Sequence, residues 1–138
     1  MPETLRALDA NVVLRYLLND VPTQAAKARR LIDSDEPLGL TAVVLAEVAW
    51  TLTGPTYRRS RAAVAGSLIK LLSRENFVAL GFDKTEGQAA LLACAAPTGA
   101  ADFGDPLIAA CARSAGVPEI YSFDQRFAWT GLIPSTPP

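Results

Sequence analysis

The chain contains no histidine, and that absence closes off a large part of enzyme chemistry. Ser-His-Asp and Cys-His arrangements need an imidazole as base, and nearly every zinc site needs one as a ligand. Cysteine is scarce as well, with Cys94 and Cys111 as the only two. Both fall in alanine-rich helical stretches, LLACAA and IAACAR, which read as sites of buried free thiols rather than of a disulfide or a metal clip. No apolar run reaches the roughly 18 residues of a membrane span. The start, MPETLRALDANVVLRYL, carries an early acid and an amphipathic rhythm in place of a basic region followed by an apolar core, so no secretory leader is expected. The expected location is therefore the cytoplasm, with no membrane partner.

Half of the 138 residues are hydrophobic and a fifth are charged, the composition of a folded globular protein with room for one sizeable core. No linker or internal repeat interrupts the chain. A single domain is expected over residues 1–134, with 135–138 as a loosely ordered tail. The net charge of -1 leaves open whether the partner is a polyanion, because it says nothing of how charge is distributed.

Short apolar runs alternate with longer helical patterns, the order expected of an α/β fold around a parallel sheet. Strands are expected at residues 5–8, 38–40, 77–80 and 119–122, with a brief apolar run at 132–133. Thr23 is placed to cap a helix running to about Ser34, and Thr41 to cap the apolar helix AVVLAEVAWTL, which Gly54-Pro55 ends. Residues 57–73 read as one helix with a basic start, and Asp83 or Lys84 opens the next. Pro106 opens a further helix that stops at Gly116.

The acids fall in informative places. In an open parallel sheet, ligands bind beyond the carboxyl ends of the strands, and Asp9 and Asp124 each directly follow an expected strand. Either is also a plausible turn or helix cap. Glu47 has Val43, Val44, Trp50 and Thr51 as its helical neighbours, so it is expected to point into protein. A buried carboxylate is costly without compensation, which leaves an Arg salt bridge or a metal ion. Asp105, just before Pro106, is placed to be a helix N-cap, a role compatible with holding a cation. Asp102 is either a nearby supporting acid or a loop residue. Oxygen-only ligands at this density suit Mg²⁺ or Mn²⁺ rather than zinc, and such ions activate water for attack on a phosphodiester.

Four blocks, LDANVVLRYLL at 8–18, LTAVVLAEVAWTL at 40–52, DFGDPLIAACARSAG at 102–116 and IYSFDQRFA at 120–128, together resemble the PIN-domain ribonucleases, in particular the toxins of VapBC-type toxin–antitoxin pairs. The resemblance spans nearly the whole chain. It implies a three-layer α/β/α sandwich with a central parallel sheet of four to five short strands. It also implies that Asp9, Glu47, Asp105 and Asp124 are the catalytic and metal-holding acids of an Mg²⁺- or Mn²⁺-dependent endoribonuclease. Asn11 resembles the residue that supports the first acid, and Ser122 the hydroxyl kept near the fourth. The usual state of such a protein is a homodimer neutralised by a cognate antitoxin. The chain departs from the family at Pro106, where a small helix former is more common.

Setting the four acids aside leaves ten Asp and Glu of the 14 against 13 Lys and Arg. Arg58, Arg59 and Arg61 form the densest basic cluster, with Arg29 and Arg30 second. Each cluster either tracks an RNA backbone or is a solvated helix face. The apolar helices around Glu47 and over residues 61–72 suit a dimer interface, a groove for an antitoxin helix, or ordinary core. Two other functions compete with the nuclease. A phosphatase of the haloacid-dehalogenase type needs Asp-x-Asp after its first strand, and Asp9-Ala10-Asn11 lacks the second acid. A catalytically silent PIN-like module would bind RNA or protein without cutting.

Overall fold

A four-residue strand, Leu38–Thr41 (β2), organises the fold. Its first three residues are fully buried, as in a parallel strand covered on both faces, so both of its edges must be hydrogen-bonded. One edge takes Arg6–Ala7 (β1), in the register Arg6 to Leu38 and Ala7 to Gly39. The other takes Phe77–Leu80 (β3), in the register Leu38 to Phe77 through Thr41 to Leu80. Both pairings are parallel. The ladder extends past β1, where Leu8 N–H donates to the Gly39 carbonyl at 2.9 Å. Gly39 is required by closeness: a Cβ there would lie 2.5 Å from Leu80 Cδ1.

The computed structural model describes residues 4–95 and 103–138. Parallel strands demand long crossovers, and helices supply them. Ala10–Leu18 (α1) and Pro22–Ile32 (α2) link β1 to β2, while Ala42–Thr53 (α3) and Arg61–Leu72 (α4) link β2 to β3. Lys84–Cys94 (α5) and Gly104–Ser114 (α6) follow, then Glu119–Tyr121 (β4), a 3-10 helix over Gln125–Thr130, and Ile133–Ser135 (β5). β4 and β5 pair in parallel as a second, two-stranded set. The three-layer α/β/α arrangement is as expected, but the expected sheet of four to five strands is divided: β1, β2 and β3 form the central sheet, and β4 and β5 pair apart from it. β5 also carries strand pairing into Ser135, the first residue of the expected loose tail.

Several helix starts differ from the sequence expectation, each for a local reason. Thr23 does not cap α2. Pro22 occupies the first helical position, where its missing N–H is harmless, so the cap falls on Val21, whose side chain makes no capping bond. Residues 57–60 are not helical. Arg58 adopts a left-handed backbone (φ 49), and α4 begins only after Ser60, whose hydroxyl accepts from Ala63 N–H at 3.1 Å. Thr41 does cap α3, accepting from Val44 N–H at 3.2 Å.

The main core joins the sheet to α1, α3, α4 and α5 through Leu40, Leu45, Val48, Leu68, Leu72 and Leu91, all at most 1% exposed. A smaller cluster of Ala109, Phe127 and Leu132, with Ile120 against it, seats the β4–β5 pair on α6. Cys94 is buried in the main core and Cys111 is half-buried; both are free thiols, and burial pushes the Cys111 thiol up.

At the start of α5, Gly87 lets the helix approach the buried Phe82 ring so closely that a Cβ would overlap it and press on Leu72 at 3.3 Å. Both neighbours are packed and have no room to withdraw, so Gly87→Ala is expected to destabilise the fold by about 1–3 kcal/mol. Urea denaturation measures this; an unchanged midpoint would mean that α5 shifts freely.

Candidate functional site

Asp9 lies two residues beyond β1, and α3 begins directly after β2. Because β1 and β2 run parallel, Asp9 and the start of the Glu47 helix share the carboxyl edge of the sheet. The Asp9 backbone is extended, and its Oδ1 accepts from Ala10 N–H at 2.7 Å, which makes it the N-cap of α1. The residue is exposed. Asn11 is also exposed and lines a cavity of about 630 Å³ between α1 and α2, together with Arg15, Gln24 and Lys27.

Glu47 is exposed, not buried, which corrects the sequence expectation. α3 buries Leu45, Ala46, Val48, Ala49 and Leu52. Left outside are Val43 (67% exposed), Glu47, Trp50 (51% exposed) and Thr51; the first three follow one another at helical spacing along a single stripe. An apolar helix thus turns one apolar stripe to solvent, with the carboxylate in the middle of it. No cation is required to offset burial, and among the described residues Glu47 has no ion pair.

Asp105 is half-buried in the first turn of α6 and is not its N-cap. The helix starts at Gly104, with Phe103 at the cap position. Pro106 is tolerated because the first four helical N–H groups lack partners in any case. A carboxylate in this first turn still complements the helix dipole. Asp102 lies outside the described residues.

Asp124, three residues beyond β4, is the N-cap of the 3-10 helix and accepts from Arg126 N–H at 2.9 Å. The Arg126 side chain grips the same carboxylate, with Nη2 to Oδ2 at 2.7 Å and Nε to both oxygens at 3.0 Å. Side-chain and backbone bonds from Arg126 hold the Asp124 carboxyl below the usual carboxylate range. Ser122 lies beside this acid, and its Oγ accepts from Asp124 N–H at 2.9 Å.

Among the described residues, no three acidic or cysteine side chains come together as a cation cage. The donor chemistry nonetheless suits a hard divalent ion. All four acids offer oxygen, and Mg²⁺ commonly takes only one or two protein carboxylates, completing its shell with water and substrate phosphate. Of the four, Asp9 and Glu47 are exposed and make no ion pair among the described residues, whereas Asp124 is paired with Arg126.

The basic clusters also resolve. Only Arg61 belongs to α4; Arg58 and Arg59 precede it. Arg58 Nε donates to the Pro55 carbonyl at 3.1 Å. Arg61 Nε donates to the Cys94 carbonyl at 3.0 Å, and its guanidinium lies 5.6 Å from the Phe103 ring centre. Arg29 donates to Asn19 at 3.0 Å, and Arg30 is exposed. Two aromatics that were not singled out as site residues flank the acids. Trp50 follows Glu47 by three residues, and Phe123, 83% exposed, adjoins Asp124. Their signal in the sequence was adjacency alone.

An α/β chain with acids at the carboxyl edge of its parallel strands belongs to a broad class of nucleotide- and phosphate-handling folds. Residues 6–131 match the PIN domain model, and the chain belongs to the PIN domain family. PIN domains are typically nucleases and typically use divalent metal ions. Among curated proteins, none matches the chain. No helix among the described residues is long and apolar enough to cross a membrane.

The Arg126 clamp makes a definite pH prediction. A carboxyl held below its ordinary value of 3.8 adds stability that is complete above that value and is lost as pH falls through the lowered one. Arg126→Ala should therefore move the Asp124 titration back up towards 3.8. NMR titration of the side-chain carboxyl carbon reads this directly, and an unchanged midpoint would show that Arg126 does not set it.

Proposed function

We infer that the chain is a metal-dependent endoribonuclease that hydrolyses RNA phosphodiester bonds, with Asp9, Glu47, Asp105 and Asp124 as its acidic set. The observation that carries this reading is the PIN domain match over residues 6–131, which encloses all four acids. Mg²⁺ or Mn²⁺ is the ion of choice because every donor is a carboxylate and the chain has no histidine. Such an ion, when bound, supplies an activated water and neutralises charge on the phosphate.

The chain's own residues divide the remaining work. Asp9 and Glu47 present exposed carboxylates at the surface. Asp105 is held by the first turn of α6. Asp124 can serve a cation only by exchanging it for Arg126, so it is a conditional ligand, oriented through Ser122. Within this reading, the four sequence blocks favour the toxin of a toxin–antitoxin pair, acting as a homodimer and neutralised by a cognate antitoxin.

A second reading is a PIN-like module that binds RNA or protein without cutting. The Asp124–Arg126 clamp and the absence of a three-acid cage among the described residues favour it. Calorimetric titration with Mn²⁺ separates the two, since a silent module should take up no ion.

Asp9→Asn is a clean test because Asn caps a helix as well as Asp does, and Glu47→Gln is clean because the residue is exposed. Each should lower Mg²⁺-dependent RNA cleavage at least about 100-fold, the upper end of what losing a metal site's outer supports costs. Unfolding midpoints should barely move, as for surface substitutions of about 0.5 kcal/mol or less. Full activity in both variants would end the nuclease reading. Induced expression that arrests growth in the wild type but not in Asp9→Asn would support the toxin role.

A further inference from the structure

A cavity of about 400 Å³ lies where the end of α3 meets the start of α4, lined by Trp50, Thr53, Arg59, Ser60, Arg61 and Phe103. Its volume falls within the roughly 300–1,000 Å³ of small-ligand pockets. Its position is informative. Trp50 is one helical turn past Glu47, a spacing that makes the two side chains neighbours, and Phe103 stands two residues before Asp105. The cavity therefore lies one helical turn from Glu47, although no acid is among the residues that line it.

We propose that this cavity is a subsite for one unpaired nucleotide of the substrate, with the base stacked on Trp50 and its phosphate held by Arg59. The proposal rests on the ribonuclease reading and adds to it the residues that hold one nucleotide. Trp50 keeps half its surface in solvent, and an exposed indole is the strongest base-stacking platform a side chain offers. Among the described residues the Arg59 side chain has neither hydrogen bond nor ion pair, so its charge is available. Arg61 is already engaged with the Cys94 carbonyl and the Phe103 ring, and Ser60 Oγ is engaged in capping α4; both shape the pocket wall. Within the cavity Trp50 offers the flat apolar face and Arg59 the uncommitted cation, which assigns the base to Trp50 and the phosphate to Arg59. Bases inside a duplex are stacked on each other and offer no free face, so the ligand is a single strand.

The test uses the full chain carrying Trp129→Phe, which leaves Trp50 as the single indole, in chelator so that nothing is cut. A single-stranded RNA hexanucleotide should quench Trp50 fluorescence, and a duplex of the same sequence should bind about tenfold more weakly or worse. With a labelled hexanucleotide, Trp50→Ala should weaken binding about tenfold, whereas Trp50→Phe keeps most of it. Arg59→Ala should weaken binding and lower the salt slope by about one phosphate contact. Equal binding of single strand and duplex, or binding by Trp50→Ala within about twofold of the parent, overturns the proposal. So does a Trp50→Ala protein whose RNA binding is intact but whose mass in solution changes, which would make the cavity a contact between copies. The two readings fail separately. Quenching without any cleavage of RNA under Mg²⁺ or Mn²⁺ removes the nuclease and keeps the subsite. Cleavage that depends on Asp9 but not on Trp50 removes the subsite alone.

Discussion

The burial of β2 is the constraint from which the rest of the structure follows. A strand hidden on both faces cannot satisfy its backbone through water, so it must find parallel partners on both edges. β1 and β3 provide them, and the register is held at both ends: Leu8 N–H reaches the Gly39 carbonyl and Leu38 N–H reaches the Asn76 carbonyl, each at 2.9 Å. Asn76 in turn donates its side-chain amide to the Ser34 and Glu36 carbonyls, pinning the turn that delivers the chain into β2. Parallel pairing then obliges every crossover to be helical, and it sends the residues after β1 and β2 to the same edge. Asp9 and α3 share that edge because of hydrogen bonding in the sheet, not because of any attraction between them.

A polar knot reinforces this arrangement away from the acids. Arg74, just before β3, donates to the Tyr16 hydroxyl at 2.7 Å and pairs with Asp33 at 3.0 Å. Tyr16 itself donates to Asp33 at 3.0 Å. Three crossover segments meet there, from α1, from the end of α2 and from the loop into β3. Burial, followed by the hydrogen bond to Asp33, pushes the Tyr16 hydroxyl up, so it stays a proton donor throughout the range in which the protein is used. The surface pair is worth little by itself. Its value is geometric, since it ties both crossovers to one side of the sheet.

Periodicity and turn chemistry made most of this fold legible in the sequence. The strands at 38–40 and 77–80, the Thr41 cap and the Gly54 stop all depend on local rules that the tertiary structure leaves intact. The misplacements share a cause in backbone conformation. The left-handed turn at Arg58 breaks what reads as continuous helix from 57 to 73, and nothing in that run of residues announces it. At Asp105, Pro106 marked a helix start correctly but not which residue before it would be the cap. Glu47 is the more instructive case. An almost wholly apolar helix suggests burial all round, yet burial is decided by what packs on the helix, and nothing among the described residues covers the Val43–Glu47–Trp50 stripe. Composition cannot reveal which stripe is left over.

That leftover stripe changes how the acids must work. A buried carboxylate is kept ionised by a partner, and the partner is then part of the fold. An exposed one is kept ionised by water at almost no cost, and it holds its charge in readiness for whatever approaches. Screening confines that charge to roughly 8–10 Å in physiological salt, so an anionic chain nearing Glu47 is repelled unless cations stand close by. Asp124 has met this condition internally through Arg126; Asp9 and Glu47 have not. The cavity that Trp50 lines, one turn along α3 from Glu47, carries such a cation in Arg59. An acid left open at the surface beside an aromatic and a guanidinium suits a polymer that carries negative charge and flat rings together. That combination is the physical basis of the nucleotide subsite proposed above, and the acids alone would not supply it.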